Sequence, residues 1–174
     1  YAEWIDLQGI DSRCIRQMDD TLTAQAFITT DLDDNQITAF HPGAMERSAV
    51  NNVADAGTVE IGIVAPDGRD GMIQHAEQME AAGVPFIFDP GQGMPMFDGK
   101  DLMRFIDSAT WVTVNDYESE LMQERTGLSP SEIAARVTAL IVTRGGKGSH
   151  IYTDAGKLEI PTAKPSVVCD PTGC

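Results

Sequence analysis

Residues 84–114, VPFIFDPGQGMPMFDGKDLMRFIDSATWVTV, decide the fold of this chain because they place a strand, a helix and a second strand in succession. The two apolar runs, 84–88 and 111–114, have the length and composition of buried strands. Between them, residues 102–106 predict a short helix. Two strands joined through a crossover helix form a βαβ unit, in which the strands run parallel in one sheet.

The same alternation continues on both sides of this unit. It predicts further core elements, namely helices at 44–56, 70–82 and 116–125 and strands at 59–64, 140–143, 150–153 and 157–160. Gly83 and Gly127 follow two of these helices and favour a left-handed C-terminal cap. Ser129 to Glu132 (SPSE) has the capping-box pattern and predicts a helix through Val137. We therefore expect an α/β fold with a mostly parallel sheet and helices on both faces.

The first 42 residues have a different character. Residues 1–10 predict the end of a helix, with Gly9 just after it. The β-rich runs 23–30 (TAQAFITT) and 36–41 (QITAFH) flank the turn-forming cluster 31–35 (DLDDN), which predicts a β-hairpin. Because neither strand contains a charged residue, we expect both faces of the hairpin to be at least partly covered.

Size and composition restrict the class of protein. With 174 residues, of which 42% are hydrophobic, the chain is one domain or a large piece of one. It contains no stretch of 18 apolar residues and no basic-then-apolar leader, so we expect no membrane span or signal peptide. The chain starts at Tyr1 rather than at Met, which predicts a cut inside a longer protein. Three widely spaced cysteines, Cys14, Cys169 and Cys174, argue against disulfides or a zinc site and favour a reducing cytoplasm.

The net charge of −15 argues against nucleic-acid polymers and anionic membranes as partners. Solubility alone is a sufficient reason for such a charge. A chain this acidic could hold a polyphosphate only with local backbone N–H donors and a divalent cation.

Ligands of parallel sheets bind beyond the carboxyl ends of the strands, so the segments after the predicted strands are the candidate site. Asp89-Pro90-Gly91-Gln92-Gly93 follows one strand and is equally well explained as a plain turn. Asn115-Asp116-Tyr117-Glu118 follows the next and suffices as an ordinary helix start. It also allows Asn115 and Glu118 to face a cleft together, with Glu118 near a hydrated Mg²⁺.

Two glycine-rich segments complete the candidate site. Thr143-Arg144-Gly145-Gly146-Lys147-Gly148 fits a tight hairpin, and its glycines would also let the backbone approach a nucleotide. It is not a Walker A motif. The last five residues, Asp170 to Cys174 (DPTGC), predict the start of an anion-binding turn that opens a helix.

In order along the chain, three motifs resemble the signatures of the PfkB carbohydrate kinase family, which has a ribokinase-like fold. They are Asn115-x-x-Glu118, Thr143-x-Gly145-x-x-Gly148 and Asp170-x-Thr172-Gly173. Within the family, the segments Thr29-Thr30-Asp31-x-Asp33, Gln36-Ile37 and Phe40-x-Pro42-Gly43-Ala44-Met45 are most similar to bacterial adenosine kinases. The resemblance implies a partial kinase domain over residues 1–174, with a small β lid hairpin at about 13–42 and a three-layer α/β/α core at about 44–174.

The resemblance also implies a function. It is ATP- and Mg²⁺-dependent phosphoryl transfer to the 5′-hydroxyl of a ribosyl substrate, foremost adenosine to AMP, a reaction of purine salvage. The implied roles are ATP binding by Asn115, Thr143, Gly145 and Gly148, Mg²⁺ binding through water by Glu118, substrate stacking by Phe40 and an anion hole starting at Thr172 and Gly173. The family's general base, the last Asp of its signature, would follow Cys174, so we expect the chain alone to be inactive.

Other readings remain open. The chain could belong to a PfkB kinase of another sugar, such as ribose or fructose, or to a non-catalytic nucleotide-binding domain. Lid hairpins of this family sometimes pair between subunits, so the resemblance also allows a homodimer.

Overall fold

The computed structural model describes residues 2–31, 36–164 and 166. In these residues the strands form two separate sheets. The smaller is an antiparallel hairpin of β1 (Gln25–Thr30) and β2 (Gln36–His41). The larger contains six strands in chain order, β3 (Gly62–Val64), β4 (Phe86–Phe88), β5 (Trp111–Asn115), β6 (Ala139–Thr143), β7 (Ser149–Thr153) and β8 (Gly156–Ile160). Strands β3 to β6 are parallel, and β7 and β8 are added antiparallel.

Helices connect the parallel strands, as the βαβ pattern predicts. The described α-helices are α1 (Ala2–Leu7), α2 (Arg69–Ala82), α3 (Gly99–Ser108), α4 (Asp116–Thr126) and α5 (Pro130–Ala134). The ribokinase-like α/β class expected from the sequence is confirmed, with a mostly parallel sheet, helices and a separate hairpin.

Local chemistry sets the ends of these helices. Helices α3, α4 and α5 each begin with a capping box, in which the N-cap side chain and the side chain three residues later exchange bonds with backbone N–H groups. Gly83 and Gly127 end α2 and α4 in the left-handed conformation, at φ 67° and 73°. The capping box at Ser129 was predicted correctly, but α5 ends at Ala134 rather than Val137.

The core lies between one face of the six-stranded sheet and helices α2 to α5. Alternate strand residues point into it because side chains alternate across a strand, and they are Val64, Phe86, Phe88, Val112, Val114, Leu140 and Val142. The ring of Phe88 stacks on that of Phe105 at a centroid distance of 4.1 Å, and Phe97 meets Phe105 edge-on at 5.1 Å. On the other face Ile63 is 60% exposed.

The segment predicted as a helix at 44–56 is two 3₁₀ segments, Gly43–Val50 and Val53–Ala56. Arg47 leaves helical geometry, and Asn52 caps the second segment in a capping box with Asp55. Asparagine favours caps over helix interiors because its side chain bonds the local backbone, so a continuous helix is interrupted here.

The hairpin strands lie where the sequence placed them, but the expectation that both faces are covered is wrong. All residues of β1 and β2 are exposed, including Phe27, Ile28, Ile37 and Phe40. A run of Thr, Ile and Phe predicts a β-strand, but this propensity does not predict whether other parts of the protein pack on the strand.

Candidate active site

An open cavity of about 1030 Å³ lies at the carboxyl ends of β3, β4 and β5. Each of these strand ends supplies part of its wall, through residues 66–70, residues 89–93 with Met96, and Asn115 with Glu118. The hairpin side is completed by Phe40, Pro42, Met45 and Glu46. This is the location expected for a ligand site in a parallel sheet.

Asn115 and Glu118 are locked together at the start of α4. Asn115 Oδ1 accepts from the Glu118 N–H at 2.8 Å, and Glu118 Oε2 accepts from the Asn115 N–H at 2.8 Å. Glu118 is only 8% exposed although it lines the cavity. Within the described residues, Asn115 Nδ2 and Glu118 Oε1 have no hydrogen-bond partner, so a donor and a carboxylate oxygen remain available for a ligand.

Thr143 ends β6 directly beside Asn115, its Cα partner in the parallel register. The Thr143 hydroxyl reaches the Val114 carbonyl only at 3.5 Å, the limit of a hydrogen bond. The following glycines form the β6–β7 hairpin loop, in which the Arg144 N–H donates to the Gly148 carbonyl at 2.8 Å. Gly148 has φ +83°, and a Cβ there would overlap the Ile160 carbonyl oxygen. The hairpin therefore accounts for Gly148, and nucleotide contact by this loop stays a prediction.

Phe40 occupies the hairpin side of the cavity. It is 52% exposed and pairs with Ala26 across the hairpin. Side chains alternate across strands, so Phe27, which pairs with Ala39, lies on the opposite face. Only the Phe40 face of the hairpin therefore meets the cavity.

Asp89 follows β4 and lines the cavity beside the pair at α4. Burial raises the pKa of its carboxyl above the ordinary value, and a bond from the Gly91 N–H partly opposes this shift. Among the described residues, this hydrogen bond is the one interaction found to favour the charged form of the Asp89 carboxylate against its partial burial. Such an arrangement is common at sites where a bound ligand interacts with the carboxylate.

Acidic side chains dominate the charge of the cavity, through Glu46, Asp67, Asp70, Asp89 and Glu118. Among its described lining residues Arg69 is the one basic side chain, and its guanidinium is held by Asp101 at 2.5 Å. A polyphosphate bound here would need a divalent cation to offset these carboxylates. In the described part of the chain no three His, Cys, Asp or Glu side chains converge on one point. The donor set fits Mg²⁺ held by one or two carboxylates together with substrate phosphates.

The structure thus brings Phe40, Asn115 and Glu118 to one cavity. It places Thr143, Gly145 and Gly148 at the adjacent strand end, outside the lining residues. Thr172 and Gly173 lie outside the described residues.

Among the other residues that line the cavity, the sequence pointed to the segment 89–93 but did not single out Asp67, Arg69 and Asp70. Their position directly after predicted strands was the signal that could have found them.

The chain belongs to the pfkB family of carbohydrate kinases, which it matches over residues 1–174. It is similar to a nucleoside kinase of Methanocaldococcus jannaschii, with 37% identity over 99% of this chain and 57% of the relative. It is also similar to the structure of Burkholderia thailandensis nucleoside kinase in complex with inosine, with 53% identity, a TM-score of 0.93 and coverage of 100% of this chain and 57% of that one. A second structure of that enzyme, in complex with ADP-inosine, has a TM-score of 0.92.

The chain therefore spans little more than half the length of these relatives. Within the described residues, no helix combines the length and apolarity that a membrane crossing requires.

Proposed function

We propose that the full-length protein containing this chain is an ATP-dependent nucleoside kinase that phosphorylates the 5′-hydroxyl of a ribosyl substrate. The observation that carries this proposal is the cavity that Phe40, Asn115 and Glu118 line together. An aromatic surface suited to a base and a carboxylate–amide pair suited to phosphates thus line one space. The similarity to nucleoside kinases, one of them in complex with inosine, supports the nucleoside as acceptor.

The described residues would act by binding and orientation. The free Asn115 Nδ2 would donate to a phosphate oxygen, while the bond from the Glu118 N–H to Oδ1 fixes the amide in that orientation. Glu118 Oε1 would accept from water bound to Mg²⁺, and its Oε2 is already held by the Asn115 N–H. Mg²⁺ would neutralise charge on the transferred phosphoryl group. Thr143, Gly145 and Gly148 remain proposed contacts of the nucleotide, and Thr172 and Gly173 of the anion hole.

Adenosine remains our preferred acceptor, on the sequence resemblance of the hairpin segment. Inosine is the principal competitor, because one relative's structure contains it. The cavity of about 1030 Å³ has room for a whole nucleoside, so its size is compatible with either nucleoside.

The decisive experiment measures phosphoryl transfer from ATP by the full-length protein to adenosine, inosine, ribose and fructose 6-phosphate. We expect kcat/KM to be highest for a nucleoside, with adenosine first. Equal or better turnover of a free sugar would reject the nucleoside assignment, and no turnover of any acceptor would favour the non-catalytic alternative.

Phe40→Ala tests the stacking role within the same protein. Stacking of a base on an aromatic ring contributes about 1–3 kcal/mol, so the nucleoside KM should rise about 5- to 150-fold. Phe27→Ala is the matched control, because Phe27 is also an exposed ring, at 65% against 52% for Phe40, and lies on the opposite face of the hairpin. A similar KM in both variants would show that Phe40 does not contact the base.

Two subsidiary proposals accompany this function. The exposed apolar hairpin supports pairing between two copies in a homodimer, which the molar mass in solution would test. The wide spacing of the cysteines supports a cytoplasmic location.

A further inference from the structure

Four successive backbone carbonyls behind the cavity, those of residues 94–97, all accept hydrogen bonds from arginine. The Arg125 Nη1 donates to Met94 O at 2.9 Å, to Pro95 O at 3.3 Å and to Phe97 O. The Arg69 Nε donates to Met96 O at 3.3 Å. These carbonyls lie at the end of the 3₁₀ segment Gly91–Met96, where the segment dipole favours a cation, and Met94 O also accepts from the Phe97 N–H at 3.2 Å.

We call residues 91–97 the acceptor wall, because residues 91–93 and Met96 of this segment line the cavity. Its attachment to the core is hydrophobic, through the fully buried side chains of Met94 and Phe97. Hydrophobic contacts hold this segment against the core but constrain the orientation of its backbone only weakly, because they are not directional. Hydrogen bonds from one guanidinium to three of its carbonyls constrain that orientation strongly. Arg125 is therefore the group that orients the acceptor wall from outside the cavity.

Arg125 also connects this wall to the opposite side of the site. It lies in the last turn of α4, and Asn115 and Glu118 lie at the first turn of the same helix. The two ends are about 15 Å apart along a rigid helix. One element thus contacts the wall and, at its other end, carries the pair Asn115 and Glu118.

We infer that Arg125 is a positioning residue for acceptor binding, holding the acceptor wall, residues 91–97, at a set distance from Asn115 and Glu118. Arg125 does not line the cavity, so it acts through the carbonyls of the wall and not by contact with substrate. This inference rests on the proposed nucleoside kinase function for its kinetic consequence, but its structural part can be tested without activity.

The test uses the full-length protein and the variants Arg125→Met, Arg125→Lys and Arg136→Met. Arg136 is the matched control, since its guanidinium bonds Asp107 at 2.7 Å, away from the wall. For Arg125→Met we expect the nucleoside KM to rise about tenfold or more, because bonds from a charged donor are lost. The KM for ATP should change by less than about threefold, because the cap at Asn115 is intact. Arg125→Lys should restore part of the loss, since it keeps a cation that can donate to one or two carbonyls.

Hydrogen–deuterium exchange of the peptide covering residues 88–97 supplies the readout that does not depend on activity. We expect faster exchange there in Arg125→Met than in wild type or Arg136→Met. Unchanged exchange in this peptide would overturn the inference, as would equal increases in the KM for nucleoside and for ATP. If Arg125→Met does not fold, the same comparisons apply to Arg125→Lys. If the wild-type protein phosphorylates no nucleoside but Arg125→Met still exchanges faster than wild type in this peptide, the proposed function is rejected while the positioning role stays supported.

Discussion

Glu118→Gln separates the structural role of the Asn115–Glu118 pair from its proposed role at Mg²⁺. Glutamine keeps a side-chain oxygen that accepts from the Asn115 N–H, now 2.8 Å from Glu118 Oε2, so the helix start is retained. What is lost is the negative charge. A charged acceptor is worth about 0.5–1 kcal/mol more than a neutral one, and its interaction with the helix dipole contributes a similar amount.

The expected loss of stability is therefore about 1–2 kcal/mol, or a fall in Tm of about 2–8 °C for a chain of this size. The effect on metal binding should be larger in relative terms. Removal of a carboxylate that holds a hydrated metal lowers metal affinity about 10- to 100-fold. We therefore expect the Mg²⁺ concentration for half-maximal rate of the full-length protein to rise by this factor at fixed ATP and nucleoside.

Glu132→Gln provides the control for this experiment. Glu132 closes an equivalent capping box, accepting from the Ser129 N–H at 2.8 Å and the Ser129 hydroxyl at 2.7 Å, but it does not line the cavity. It should show a comparable or smaller fall in Tm and no change in Mg²⁺ dependence. If Glu118→Gln and Glu132→Gln had the same Mg²⁺ dependence, Glu118 would be a helix cap only.

Two further predictions concern stability. Phe105→Ala should cost about 3–5 kcal/mol, measured as a lower urea midpoint, because Phe105 is 3% exposed and its ring contacts two other phenylalanine rings; a loss below about 1 kcal/mol would contradict this packing. Because the pKa of the Asp89 carboxyl is raised, the folded state binds more protons than the unfolded chain at pH values just above the ordinary aspartate pKa. The stability of the folded state therefore falls as the pH rises through that range. Asp89→Asn should flatten the part of the Tm–pH curve that lies just above the ordinary aspartate pKa of about 4, and an unchanged curve would show that burial of Asp89 has no such effect.

The sequence predicted most of the sheet because its signals there are local. Residues 84–88 and 140–143 are short apolar runs bounded by turn residues, and each lies on a strand of the structure. The helix starts at Asn115 and Ser129 could also be predicted from the sequence, because in each capping box the two residues that interact lie three positions apart. Because Asn115 follows a strand directly, the same local signal also located part of the candidate site.

Long-range contacts were not predictable in this way. Arg125 lies about thirty residues along the chain from the carbonyls that it holds. Every residue has a backbone carbonyl, so a hydrogen bond to one does not depend on the side chain of the acceptor residue and gives no signal in the sequence. The role of Asp89 was left open for a different reason, because the sequence Asp-Pro-Gly is equally well explained as a plain turn. The exposure of the β1–β2 hairpin could not be read from its composition either.

The pairing of Asn115 with Thr143 in the parallel register has a consequence for changes in chain length. Inserting one residue within β5 or β6 would turn the following side chains to the other face of the sheet, so it would exchange core residues for site residues at the strand end. The turn at Asp154 and Ala155, between β7 and β8, borders neither strand end. Loop extensions and fused peptides should therefore be tolerated at that turn, whereas β5 and β6 admit substitutions but not insertions.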